Sequence, residues 1–262
     1  MTVLLLLCLG VISTRLVSLQ LVQGGEYRAQ ADGQRTSIRT ITPTRGEIKI
    51  ADRFSGHPAT VATSIEKPLV YAIPSGMVDR VGVAKALAPI LGISEQEILD
   101  KTADTSKKYV PLKKQISDEV KQKIEDLHLE GIAFDTEIIR FYPEGSFLSQ
   151  LIGFVGYQGD VKTGAYGIEQ AFNEYLTGIP GRLAQEGSAS GAWIFGTRRD
   201  SQPAVDGESI LLTIDKTVEF KAESILKSAV DDNQADSGSI IIMDPKTGAI
   251  IAMATYPTFD PN

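Results

Sequence analysis

The stretch Ser239-Ile240-Ile241-Ile242-Met243-Asp244-Pro245-Lys246-Thr247-Gly248-Ala249-Ile250-Ile251-Ala252-Met253-Ala254 decides the fold class. Two apolar runs flank a Pro/Gly turn, the pattern of a β-hairpin. Each run is apolar on consecutive residues instead of alternating, which predicts strands covered on both faces. Just upstream, Ile210 to Ile214 is a compact apolar run. Asp215 then stands as the N-cap of a long helix with Val218, Ala222, Ile225, Leu226 and Ala229 on one face. Strand, helix and hairpin in this order predict the opening of an α/β sheet domain. A central hairpin this close to residue 262 predicts that the domain is incomplete here.

Upstream of this segment, Gln202-Pro203-Ala204-Val205-Asp206-Gly207 marks a boundary. Before it, residues 182–200 alternate small, polar and aromatic types and predict loose strands. Tyr166 to Leu176 predicts a helix with Ile168, Phe172 and Leu176 on one face. Phe147 to Ile152 predicts a helical turn ended by Gly153, and Ile132 to Tyr142 an extended segment. Ser117 caps a helix whose first turn carries Asp118 and Glu119, where the helix dipole favours anions. Val120, Ile124 and Leu127 form its apolar stripe, and Gly131 ends it. Ser94 and Glu97 make a capping box for a short helix through Lys101. Tyr109 to Leu112 predicts a short strand, Val83 to Leu91 a helix stopped by Gly92, and Val61 to Ile73 a strand closed by Pro74. The fold class is therefore α+β: a mixed α/β unit over residues 23–205, preceded by an apolar segment over 1–22 and followed by the start of a sheet domain over 206–262.

Composition is that of a globular protein, 42% apolar and 23% charged. A formal net charge of -7 leaves no basic footprint for a nucleic-acid partner. Cys8 is the only cysteine, so an internal disulfide and a cysteine metal site are both excluded. His57 and His128 are far apart, and neither predicts a metal ligand. No cofactor and no metal site is expected. Val3 to Ile12 is almost wholly apolar but shorter than the roughly 20 residues needed to span a bilayer. A signal-peptide core would carry basic residues before the run and a small-x-small site after it, and neither is present. Leu16, Val17, Leu19, Leu21 and Val22 keep helical spacing beyond Arg15, which favours the outer part of a membrane anchor. The remaining alternative is a buried core helix.

Six short motifs carry a family resemblance. They are Arg15-Leu16 with Leu19-Gln20; Arg45-Gly46-Glu47-Ile48 with Asp52-Arg53; Arg140-Phe141-Tyr142-Pro143; Gly164-Ala165-Tyr166-Gly167-Ile168-Glu169; Leu212-Thr213-Ile214-Asp215; and the Asp244-Pro245 hairpin. In this order, across nearly the whole chain, they resemble the class B penicillin-binding proteins, the membrane-anchored transpeptidases of bacterial wall synthesis. One departure is the spacer Lys49-Ile50-Ala51, longer here than the single residue usual in the family. The resemblance implies a structural hub of Arg45, Gly46, Asp52, Arg53, Arg140, Pro143, Gly164, Gly167 and Glu169 at the base of the pedestal, or dimerisation, domain. The residues themselves suit that role. A carboxylate such as Glu169 can fix the crossing of distant segments through a guanidinium, and the glycines permit close backbone approach.

The resemblance implies acyl transfer to wall peptides at a serine that β-lactams also acylate. Three fragments imitate the family's catalytic motifs. Ser64-Ile65-Glu66-Lys67 lies in a strand pattern that sends Ser and Lys to opposite faces. Ser224-Ile225-Leu226-Lys227 lies mid-helix, without free N-terminal N–H donors for an oxyanion. Lys246-Thr247-Gly248 is the hairpin tip. Ser-x-Asn is absent. No catalytic residue is therefore expected in the chain, and the nucleophile is expected beyond Asn262. Implied partners are the membrane, a polytopic glycosyltransferase of the SEDS family, peptidoglycan or its precursors through a catalytic part, and a homodimer. The implied location is the bacterial cytoplasmic membrane, single-pass, with the bulk of the chain outside. Rival readings are a naturally short, non-enzymatic scaffold of wall assembly and a membrane-bound β-lactam sensor.

Overall fold

A computed structural model of the chain describes residues 36–159, 161–186 and 200–262, with positions 10, 15, 17–19 and 23 before them. The expected anchor over residues 1–22 lies almost wholly outside the described residues. Among those described, no helix is long and apolar enough to cross a membrane. The chain divides into two compact units, residues 1–43 with 178–206, and residues 44–177 with 207–262.

In the first unit, strands β1 (Thr36–Ile41), β8 (Gly181–Glu186) and β9 (Asp200–Gln202) form an antiparallel sheet in the order β1-β8-β9. Ile179 and Val205 close it with a reciprocal pair of backbone hydrogen bonds of 2.8 and 2.9 Å. Of the segment 182–200, predicted as loose strands, the described residues at its two ends are in β8 and β9.

In the second unit the organising element is β3 (Ala59–Ala72), 14 residues long. Along one edge it pairs with β5 (Ile132–Phe141) from Thr63↔Phe141 to Ala72↔Ile132. Its other edge is shared. The first part pairs with β2 (Ile48–Ala51) and the last part with β4 (Val110–Lys113). β10 (Ile210–Asp215) completes the sheet, parallel to β2. The boundary predicted at 206 is therefore not a break in this sheet. An apolar strand without a neighbour would leave its N–H and C=O groups unpaired, and β2 supplies them for β10.

Helices α1 (Arg80–Leu91), α2 (Glu95–Lys101) and α3 (Asp118–Glu125) cover one end of the sheet. Val70, Leu87, Leu91, Ile98, Leu112 and Ile124 pack there in one buried cluster. Each such side chain contributes about 1.5–3 kcal/mol by leaving water. The local signals operate as chemistry predicts. Gly92 takes the left-handed conformation after α1, Ser94 accepts from the Glu97 N–H, and Ser117 from that of Val120. Leu127 departs from prediction. α3 stops at Glu125, His128 turns the chain with a positive φ, and Leu127 is exposed.

The helix predicted over 166–176 is two short ones, α5 (Gly167–Ala171) and α6 (Asn173–Thr177), separated at Phe172. Phe172 points outward while Leu176 is fully buried. α4 (Ser149–Ile152) precedes them, with the hairpin β6 (Val155–Gln158) and β7 (Val161–Gly164) between. Ile48, Ile50, Val61, Tyr142, Ile152 and Ile214 form the second core around them.

α7 (Lys216–Asp232) lies on the antiparallel hairpin of β11 (Gly238–Met243) and β12 (Ile250–Tyr256). Ala222, Leu226 and Val230 pack on Ala252 and Ala254. The buried face is rotated from the predicted one. Ile225 is exposed, and a carboxylate, Glu219, is buried in the apolar stripe. α7 covers one face of the hairpin, while the other is covered only in part: Met253 of β12 packs on the second core, and Ile241 and Met243 of β11 stay exposed.

Candidate functional site

Glu169 sits on the short α5, directly after the tight turn Gly164–Gly167, and its side chain is wholly buried. Two arginines reach it from distant segments. Arg45, ahead of β2, donates from Nε to Glu169 Oε2 at 2.7 Å. Arg140, near the end of β5, donates from Nε to Oε1 at 2.6 Å. Each carboxylate oxygen thus receives one charge-assisted bond, the strong kind. The arginine side chains are only 12% and 5% exposed.

Two cations and one anion leave a net positive charge in a dry place, which costs free energy unless oxygen acceptors surround it. They do. Arg45 Nη1 donates to Asn173 Oδ1 at 2.9 Å and to Thr177 Oγ1 at 2.7 Å, and Nη2 donates to the Glu169 carbonyl at 3.0 Å. Arg140 Nη1 donates to the Gly46 carbonyl at 2.8 Å. Arg140 Nη2 is buried with no acceptor. Tyr142 turns its hydroxyl toward Glu169 Oε1 at 3.4 Å and accepts from the Val155 N–H at 3.2 Å. Burial first, then the Glu169 carboxylate, holds the Tyr142 phenol well above its ordinary pKa, so it stays protonated as a donor.

The glycines of the two motifs let these segments touch. A Cβ on Gly46 would stand 2.0 Å from the Glu208 carbonyl oxygen, and one on Gly164 would stand 1.9 Å from that of Glu169. Gly167 has a φ of 58° and faces the Leu151 carbonyl oxygen. The Gly46 N–H meets the Leu176 carbonyl at 2.9 Å, which ties the Arg45 segment to α6.

Of the nine predicted hub residues, Arg45, Gly46, Arg140, Gly164, Gly167 and Glu169 come together. Asp52, Arg53 and Pro143 do not. Asp52 caps its own exposed turn through the Phe54 and Ser55 N–H groups. Arg53 pairs with a second buried carboxylate, its Nε 3.0 Å from Asp215 Oδ2, and so holds the N-cap of α7. Pro143 is exposed in the turn after Tyr142. Asn173 and Thr177 were missed, although Glu169, Asn173 and Thr177 recur every fourth residue, the spacing that aligns side chains on helical turns.

The decoys stay apart from this cluster's chemistry. Ser64 and Lys67 are on β3, three residues apart on a strand, and Ser64 Oγ donates to the Arg45 carbonyl at 3.3 Å. Ser224 lies inside α7, where its carbonyl accepts from Ser228 Oγ at 3.3 Å. Thr247 Oγ1 donates to Asp244 Oδ2 at 2.9 Å and closes the hairpin turn. None has a base and an oxyanion donor beside it. The cluster of Glu169 is an ionic clamp on the backbone and holds no nucleophile.

Residues 40–212 match the family described as the penicillin-binding protein dimerisation domain. The chain is 30% identical to peptidoglycan D,D-transpeptidase FtsI of Buchnera aphidicola, over 98% of this chain and 44% of that protein. It is also 30% identical to stage V sporulation protein D of Bacillus subtilis, over 96% of this chain and 38% of that protein. The chain thus spans less than half the length of these relatives. Among solved structures it is similar to a peptidoglycan synthetase from Bifidobacterium adolescentis, with a TM-score of 0.56 at 30% identity, covering 87% of this chain and 45% of that one. The fold also matches penicillin-binding protein PBP2 of Helicobacter pylori, solved in complex with MreC. There the TM-score is 0.67 at 19% identity, covering 87% of this chain and 44% of that one.

Proposed function

Because the chain belongs to the family built on the penicillin-binding protein dimerisation domain, the pedestal of the class B enzymes, we propose that it is the non-catalytic support of a peptidoglycan cross-linking transpeptidase. Its work is to hold a catalytic unit at a set distance and orientation outside the cytoplasmic membrane. The observation that carries this is the clamp. Glu169 binds Arg45 and Arg140, and so locks together the approach to β2, the end of β5 and the α5–α6 turn. A support must transmit position without yielding, and a buried, hydrogen-bonded ion cluster has one good geometry. The apolar run in residues 1–22 supports a single-pass anchor, and with it the extracytoplasmic placement. A SEDS-family glycosyltransferase, a second copy of the chain and a MreC-type protein are the partners this role suggests.

Two measurements on the 262-residue chain test the reading. Fluorescent penicillin followed by denaturing electrophoresis is expected to leave the chain unlabelled, because Ser-x-Asn is absent from the sequence and neither Ser64 nor Ser224 has a base and an oxyanion donor beside it. A labelled band that disappears in Ser224→Ala would overturn the non-catalytic assignment. Expressed in a bacterium, the chain is expected in the membrane fraction and open to protease added outside. Recovery in the soluble cytosol would overturn the placement.

A further inference from the structure

β12 ends at Tyr256, and residues 257–262 lie back across the segment that joins β5 to α4 and β6. Gln150 Nε2 donates to the Pro257 carbonyl at 3.2 Å, and the Phe259 N–H donates to Oγ of the buried Ser149 at 3.3 Å. The Phe259 ring meets that of Phe154 edge-on, with centroids 6.0 Å apart. Asn262 makes the closest fit. Its Oδ1 accepts from the Tyr142 N–H at 2.9 Å, and its Nδ2 donates to the Tyr142 carbonyl at 3.1 Å. One side-chain amide thereby takes both main-chain groups of Tyr142, as a residue of a neighbouring strand would. Asp260 Oδ1 accepts from the Asn262 N–H at 3.0 Å and from its Nδ2 at 2.9 Å, which holds the amide in place.

The seat of this segment adjoins the ionic clamp. Tyr142 places its hydroxyl 3.4 Å from Glu169 Oε1, and the same hydroxyl accepts from the Val155 N–H, next to Phe154. Arg140, two residues before Tyr142, holds the other side through Glu169 Oε1 at 2.6 Å. Both anchors of the segment, the Tyr142 backbone and the Phe154 ring, are therefore fixed by groups that close on Glu169. The segment has little hold of its own. Pro257, Asp260 and Asn262 are exposed, and a segment with few buried contacts opens at low local cost. Its bonds from Gln150 and to Ser149 are longer than the usual ~2.9–3.0 Å, so a small shift of the seat breaks them.

We propose that residues 257–262 form a strap whose seating is set by the Glu169 clamp, so that the clamp fixes the exit from the hairpin as well as the segments it binds directly. With the clamp intact, Tyr142 and Phe154 stay in place and the strap is seated. With it broken, Arg140 and Tyr142 lose their common partner, and the strap lifts while the sheet stays paired. The use of such a strap rests on the support role, because it carries the rigidity of the clamp past the hairpin; the coupling itself is measured without reference to that role.

Backbone 15N relaxation on the 262-residue chain reads the seating through the amides of Phe259 and Asp260. Order parameters near ~0.85 mark a rigid backbone and values under ~0.6 a flexible one. The unaltered chain is expected to show the rigid value at both. Asn262→Ala, which deletes the pair to Tyr142, is expected to bring both under ~0.6. Glu169→Gln is expected to do the same without touching the strap. Tyr142→Phe removes the linking hydroxyl, keeps the backbone, and carries the test if Glu169→Gln fails to fold. Leu87 and Leu91 of α1 should stay rigid in all three, and Lys85→Gln, on the exposed side of α1, should leave the strap seated. A strap that is flexible in the unaltered chain, or that stays rigid in Asn262→Ala or in either folded clamp variant, would overturn the inference. The penicillin labelling and the fractionation bear on the support role alone, so the two can fail separately.

Discussion

At the scale of the residue, two buried glutamates behave in opposite ways. Glu169 is matched by two guanidiniums and serves structure as an anion. Removing one partner of a buried pair costs about 3–5 kcal/mol, because the remaining charge stays dry and unpaired. Glu169→Gln is expected to lose about that much, read as a lower urea midpoint. Lys49→Ala, which breaks an exposed pair with Glu47, should cost under about 1 kcal/mol. Equal losses would refute the clamp. Glu219 has no cation. Its Oε2 accepts from the Met253 N–H at 2.6 Å, while Oε1 has no partner. Burial, with a smaller push from Glu223, outweighs the Met253 bond and raises its pKa from 4.5 to about 7. The folded pKa lies above the unfolded one, so the folded state holds the proton longer. The stability linked to Glu219 is complete below about pH 4.5, declines as pH rises to about 7, and is flat beyond. At about 1.4 kcal/mol per unit the decline is roughly 3 kcal/mol. Glu219→Gln keeps an acceptor for Met253 and cannot ionise. Its urea midpoint should fall much less between pH 5 and pH 8 than that of the unaltered chain. A parallel fall in both would show that Glu219 does not titrate in this window.

At the scale of the element, the hairpin of β11 and β12 shows how covering decides exposure. Its sequence is apolar on every position from Ile240 to Met243, yet on β11 only the face toward α7 is covered. Ile241 is left 60% exposed and Met243 56%. Both lie on the same face of β11, since residues two apart on a strand share a side. The pair Ile241→Thr and Met243→Thr is expected to lower binding of a hydrophobic dye while stability stays within about 0.5 kcal/mol, the usual range for surface changes. A loss of more than ~2 kcal/mol would mean that these side chains are buried in solution. The same element explains Ile225. A helix on a flat hairpin buries the stripe 219, 222, 226 and 230, and the close approach at Gly238 sets its rotation. A Cβ on Gly238 would meet Leu226 and Val230 at 2.8 and 3.0 Å.

At the scale of the whole molecule, the five-stranded sheet of residues 44–177 and 207–262 depends on a strand that arrives last. β10 pairs with β2 from Ile210↔Ile48 to Asp215↔Ala51, and its Ile214 joins the core of Ile48, Ile50 and Leu176. A chain cut after Asp206 would strip that edge and lose Arg53's partner Asp215. It is expected to melt at lower temperature and to bind more hydrophobic dye than the full chain, since an unpaired apolar edge is open to water and to association. Equal melting temperatures would show that residues 207–262 are a separate domain after all.

Sequence alone determined the local pieces. Caps at Ser94, Ser117 and Asp215, the stop at Gly92 and the Asp244 turn all act within a few residues, where side chains compete directly for backbone groups. It also brought out Arg45, Arg140 and Glu169 as candidates, because their motifs recur in a known order. Only the tertiary structure decided what those residues meet. Nothing local in the sequence says that Arg45 and Arg140 take separate oxygens of one carboxylate, or that Arg53 goes to Asp215 instead. Those choices depend on which distant backbones approach at Gly46 and Gly164. The rotation of α7, the break at Phe172 and the place of β10 beside β2 share this cause. Each is set by contact between surfaces far apart in the chain, and periodicity within one element carries no information about the surface it will meet.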